Sequence, residues 1–105
     1  MELSNIFKSM PANPDEEVVD LIAQNENTKI ERIISRGQTS PAKGWYDQEK
    51  DEWVMLLKGE AIISFENAME VNLKAGDYLN IAAHTKHKVK WTDPNVETVW
   101  LAVHY

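Results

Sequence analysis

Apolar residues recur along this chain in two rhythms. Near the N-terminus, Val18, Leu21 and Ile22 fall at helical spacing. Asn13 is a suitable cap, Pro14 suits a first helical position, and Glu16 stands three residues beyond the cap, as in a capping box. This pattern predicts a short amphipathic helix over residues 14–23, closed by Asn25-Glu26-Asn27 and preceded by a lead-in anchored by Ile6 and Phe7. From Lys29 the rhythm becomes extended. Strands are predicted at 28–35, 52–58, 60–65, 68–73, 77–81, 87–92 and 97–103. Turn residues separate them: Gly37 and Pro41, Gly59-Glu60, Glu66-Asn67, Ala75-Gly76-Asp77 and Asp93-Pro94-Asn95. Short strands divided by such turns predict an all-β antiparallel sandwich or barrel. The expectation is one domain, with residues 1–27 as lead-in and helix and 28–104 as the barrel.

Strand residues alternate between faces, so each strand can be tested for phase. In 87–92, His87, Val89 and Trp91 share one face, and Lys88, Lys90 and Thr92 the other. Lysines almost never point into a core, so His87 is assigned inward. In 52–58, Glu52 goes with Val54 and Leu56, while Trp53, Met55 and Leu57 occupy the opposite face. Both faces are apolar, as in strands covered on both sides. The last strand, Val99-Trp100-Leu101-Ala102-Val103, has the same character. A homodimer is the expected cover for this surplus apolar surface.

Composition narrows the classes. With 105 residues there is room for one core. The net charge of −6 argues against nucleic acid as a partner, which would call for a basic stripe. The chain has no cysteine, so disulfides, thiolate metal sites and cysteine nucleophiles are excluded. The first ten residues lack the apolar run of a signal peptide, and no stretch approaches the ~18 apolar residues of a membrane span. A cytoplasmic protein with no membrane partner is expected.

The chemistry is sparse. An inward carboxylate and an inward imidazole are costly to bury without partners. They can be satisfied by each other, by Tyr46, by water in an open pocket, or by a bound metal. The irregular stretch 36–51 is unusually long for a compact domain and is a candidate functional loop. Tyr46 and Trp91 are assigned to the pocket wall, where an aromatic face could stack on a planar or sugar ligand. His84 is expected on a loop at the pocket mouth. His104 is expected to be exposed near the chain end, within reach of the barrel mouth. There is no Gly-rich phosphate loop, Ser-His-Asp arrangement or helical H-E-x-x-H.

At these residues the sequence resembles the cupin superfamily of small jelly-roll barrels. The family's first motif runs from two histidines, spaced by one residue, to a glutamate and then a glycine seven positions on; Glu52 and Gly59 have that spacing. Its second motif starts at a glycine-aspartate turn, with a proline about six residues on and a histidine about eleven residues after the glycine. Gly76-Asp77 and His87 match it, with Ala82 in place of the proline. The resemblance covers roughly residues 29–104 and implies a small antiparallel jelly-roll β-barrel. It also implies a divalent metal, Mn, Fe, Ni or Zn, held by three histidines and the glutamate. The two upstream histidines are missing: their places hold Tyr46 and Gln48, or in the other register Trp45 and Asp47. Gln48 and Asp47 could supply oxygen ligands beside Glu52 and His87, which suit a hard divalent ion.

Two functions follow as expectations. One is binding of a small polar organic molecule in the barrel pocket, with a weak or atypical divalent metal site. The other is a small enzyme of isomerase, lyase or oxygenase type in which Glu52 and His87 are catalytic as acid, base or ligand. Burial is expected to raise the carboxyl pKa and lower that of the imidazole.

Overall fold

The structure, a computed structural model, describes residues 1–11 and 15–105. Eight strands make up its regular secondary structure: β1 (Val18–Gln24), β2 (Lys29–Ser35), β3 (Glu52–Lys58), β4 (Glu60–Phe65), β5 (Glu70–Lys74), β6 (Tyr78–Ile81), β7 (His87–Thr92) and β8 (Thr98–His104). Seven of them fall where the alternation predicts strands, with shifts of one or two residues at some ends. The start of β5 moves because Ala68 adopts a left-handed φ of 72° and prolongs the preceding turn.

The N-terminal helix is a correction. Residues 18–24 form β1, paired antiparallel with β2 from Val18↔Ile34 to Gln24↔Lys29. Val18, Val19 and Ile22 are β-branched and favour a strand. A run with apolar residues at 18, 19, 21 and 22 satisfies either period, and the free edge of β2 decides between them by offering a hydrogen-bonding ladder. The proposed cap at Asn13 and helical Pro14 lie outside the described residues.

The strands form two antiparallel sheets, ordered β1-β2-β8-β3-β6 and β5-β4-β7. They face one another with the core between them: Val54, Leu56, Ala61, Ile63, Phe65, Leu73, Ile81, Trp100 and Ala102. The sheets do not close into one hydrogen-bonded barrel, which corrects the closed form expected from the sequence. Burying a leucine-sized side chain such as Leu56 or Leu73 stabilises by roughly 1.5–3 kcal/mol, so this layer dominates the fold's energetics.

Two local features set the site in place. At Gly59, φ is +89°, and an added Cβ would lie 2.7 Å from Thr98 Cα, so this turn accepts glycine alone. On the outer face of the larger sheet, the guanidinium of Arg32 is held by Asp20 at 2.6 Å and donates to the carbonyls of Ile6 and Lys8. That clamp straps the N-terminal lead-in across β1 and β2. Among the described residues no helix is long and apolar enough to cross a membrane.

Candidate functional site

Between the sheets lies a cavity of about 250 Å³. Its lining includes Glu17, Glu31, Ser40, Tyr46, Gln48, Glu52, His87, Trp100 and His104, with Val54, Ile63, Ile81 and Val89 as apolar wall. Glu52 opens β3 on the inward phase shared with Val54 and Leu56, and is 8% exposed. His87 opens β7 and is 4% exposed, on the inward side that the flanking lysines predict.

The two side chains meet. His87 Nε2 lies 3.1 Å from Glu52 Oε1, and His87 Nδ1 lies 2.7 Å from the carbonyl of Thr85. A carbonyl can only accept, so Nδ1 carries a hydrogen. The Nε2–Glu52 contact then requires a second proton, held either as imidazolium facing carboxylate or as neutral imidazole accepting from a carboxylic acid. Burial alone would lower the His87 pKa. The hydrogen bonds to Glu52 and Thr85, with the charge of Glu52, outweigh it and raise the pKa above the ordinary histidine value. The expectation of a lowered imidazole pKa is therefore corrected: beside Glu52 the protonated ring is favoured more than it is in water.

Next to this pair stands a second one. His104 is directly opposite Glu52 in the β3–β8 register. Its Nε2 donates to Glu31 Oε1 at 2.9 Å and stands 3.8 Å from Glu52 Oε2. His104 is thus a cavity residue, not an exposed chain end. Glu17 completes the acidic lining. Ser35 Oγ donates to it at 3.3 Å, and burial raises its pKa despite hydrogen bonds with Ser40 and Ser35.

The 36–51 stretch reaches the site by pairing with the free edge of β7. Ser40 exchanges backbone hydrogen bonds with Val89, and Tyr46 with His87. This register sets the Tyr46 ring 5.6 Å from the His87 ring and brings Gln48 to the lining. Burial raises the Tyr46 pKa, and the charges of Glu17, Glu52 and Glu31 add to it, while a hydrogen bond with Ser40 opposes it.

Other candidates lie elsewhere. Asp47 turns to His84, with Oδ1 2.8 Å from Nδ1, and neither residue lines the cavity. His84 instead borders a separate surface groove beside Phe65, Met69 and Leu79. Trp91 is also absent from the lining. A bulge at Lys90 shifts the register, pairing Val89 with Ile63 but Trp91 with Ile62, and so reverses the phase of the last two residues of β7. Thr92 becomes the buried residue, its hydroxyl donating to the Gln38 carbonyl, and Trp91 joins Ile62 on the outer side.

Of the four residues named as metal ligands, Gln48, Glu52 and His87 reach the cavity and Asp47 does not. Among the described residues no group of three or more His, Cys, Asp or Glu side chains is arranged to hold a metal ion. With Tyr46 and Gln48 where the cupin motif keeps its histidines, this donor set does not fit the family's three-histidine, one-glutamate centre.

A family model for the cupin domain matches residues 33–104. The chain belongs to the cupin family. A solved structure from Ralstonia eutropha JMP134, named a "putative mannose-6-phosphate isomerase", is 42% identical, with a TM-score of 0.93 over 99% of this chain and 97% of that one. A cupin superfamily protein from Desulfitobacterium hafniense DCB-2 is 20% identical, with a TM-score of 0.79 over 99% of this chain and 91% of that one. A conserved Streptococcus pyogenes protein of unknown function is 16% identical, with a TM-score of 0.77 over 98% and 85%. The last two likenesses concern the fold alone. No curated protein sequence matches the chain.

Proposed function

We propose that this cupin binds a small polar organic molecule in the cavity between its sheets. The observation that carries the reading is convergence: Glu52 and His87, buried and hydrogen-bonded to each other, open onto one cavity with Glu31, His104, Tyr46 and Gln48. At about 250 Å³ the space is slightly below the range of about 300–1,000 Å³ usual for drug-sized ligands, so the ligand is small. Titration of the full chain with small polar compounds, read by the His87 and His104 imidazole signals, tests this. The expected result is saturable shifts that Glu52→Gln and His87→Ala abolish.

A second reading, an enzyme of isomerase type, is favoured by the proton shared between Glu52 and His87. A carboxylate and an imidazole at 3.1 Å can pass a proton to or from a bound carbonyl compound, Glu52 as base and His87 as acid. The name of the Ralstonia eutropha protein points the same way. Turnover of an aldose or ketose that is lost in both variants would support it. As for metal, Glu52, His87 and Gln48 support at most a weak divalent site; titration with Mn, Fe, Ni and Zn while following the melting temperature tests it.

The proposal includes a cytoplasmic homodimer. On the outer face of the larger sheet, Trp53, Met55, Leu101 and Val103 are half-buried, and Tyr78, 66% exposed, lies against Trp53 with ring centroids 5.6 Å apart. A second copy of this face is a fitting cover. Tyr78→Glu should then shift the sedimentation coefficient towards that of a monomer.

A further inference from the structure

The cavity has an unusual imbalance between acceptors and cations. Among the described residues, three carboxylates line it, Glu17, Glu31 and Glu52, yet no lysine or arginine does. The imidazoles do not supply free positive charge. Both ring nitrogens of His87 are committed, to Thr85 and Glu52, and His104 Nε2 is committed to Glu31. Outside the lining, the Lys29 ammonium pairs with Glu31 at 3.7 Å and is itself half exposed. Glu17 has serine hydroxyls for partners and, among the described residues, no ion pair.

Ionised carboxylates can only accept hydrogen bonds. A complementary ligand must therefore bring donors. A phosphate group brings acceptors and negative charge, and is normally met by arginine, lysine or backbone N–H groups at a helix N-terminus. Among the described residues there is no helix to provide the last of these. The apolar wall of Val54, Ile63, Ile81 and Trp100 would further strengthen repulsion by excluding water.

We propose that the cavity takes a small ligand that presents hydroxyl or amino donors and carries no phosphate. This rests on the ligand-binding reading above and narrows its class. It also separates this chain from the sugar-phosphate substrate in the name of its Ralstonia eutropha relative.

Three compounds on one skeleton test it: mannose, mannosamine and mannose 6-phosphate, neutral, cationic and anionic in turn. Each is titrated into the full chain while the imidazole signals of His87 and His104 are followed, with inorganic phosphate as competitor. Mannose and mannosamine should shift both signals, and mannose 6-phosphate should bind at least about tenfold more weakly than mannose. Glu17→Gln should narrow that gap, since it removes a repelling charge and keeps the shape. Tighter binding of mannose 6-phosphate than of mannose, or displacement of mannose by inorganic phosphate, would overturn the exclusion while leaving the cavity a ligand site. Silence of both imidazoles towards all three sugars and a panel of neutral polyols would overturn the ligand-site reading and this inference with it.

Discussion

His84 and His87 stand three residues apart on one connection, and each faces a carboxylate. His84 lies 2.8 Å from Asp47, with side chains 65% and 43% exposed; His87 lies 3.1 Å from Glu52, with side chains 6% and 10% exposed. By distance the outer pair is the closer. By physics it is the weaker, because water screens it and competes for each hydrogen bond, and exposed pairs contribute only about 0–1 kcal/mol. The inner pair has lost that competition. Its partners hold each other with little water to compete, and removing either one costs the other its closest side-chain partner. The difference comes from position on the strand: His87 is the first inward residue of β7, whereas His84 sits on the turn before it with a left-handed φ of 61°.

The sharpest way to break this contrast is truncation. His87→Ala should lower the unfolding free energy by about 3 kcal/mol, the low end for breaking a buried pair, because His104 remains 3.8 Å from Glu52. His84→Ala should stay within about 0.5 kcal/mol of the parent. Urea unfolding measures both, and equal losses would abolish the distinction. A double-mutant cycle isolates the pairwise part. Glu52→Gln with His87→Gln should show coupling of about 1–3 kcal/mol, and Asp47→Asn with His84→Gln about 0–0.5 kcal/mol.

A smaller effect appears in pH dependence. His87 is raised in the folded state, so its contribution to stability is fully present below the unfolded value near 6.5 and is lost as pH rises through the folded value. The raised carboxyl of Glu17 acts with the same sign, beginning at lower pH. Stability should therefore fall as pH rises from the unfolded value near 6.5 through the higher folded value, by at most about 1.4 kcal/mol for each pH unit crossed. In His87→Gln this loss should disappear while any slope from Glu17 remains. A stability that rises across that range would contradict the imidazolium arrangement.

How much of this was legible in the sequence differs between the strands and their ends. The lysines at 88 and 90 were enough to turn His87 inward, because few forces override the cost of burying an ammonium. The same alternation failed two residues later. A bulge at Lys90 leaves no signature in a run of alternating residues, so alternation alone sends Trp91 to the pocket and Thr92 outside it. Glu52 was legible through its spacing to Gly59, a position where an added Cβ would crowd Thr98. Glu31 and His104 were not. Glu31 is one of several polar residues in β2 and His104 ends a largely apolar β8, and their meeting depends on β2 lying beside β8, a non-local pairing. Glu17 was hidden because its surroundings read as the start of a helix.

The last test asks whether the inner pair is held by its own strands or by the loop alongside. Tyr46 contributes two separable things: a backbone bridge to His87, and a ring and hydroxyl facing the cavity. Tyr46→Phe keeps the bridge and the ring but removes the hydroxyl and its hydrogen bond with Ser40. A typical net contribution of such a bond is about 1 kcal/mol, so stability should fall by about that amount. The His87 imidazole should keep its raised pKa, because Glu52 and Thr85, not Tyr46, supply the hydrogen bonds that raise it. NMR titration of the imidazole in Tyr46→Phe reads this directly. A return to the ordinary histidine value would mean that the loop maintains the inner pair. The contrast with His84 would then reflect how the 36–51 stretch is anchored more than how deeply the strand is buried.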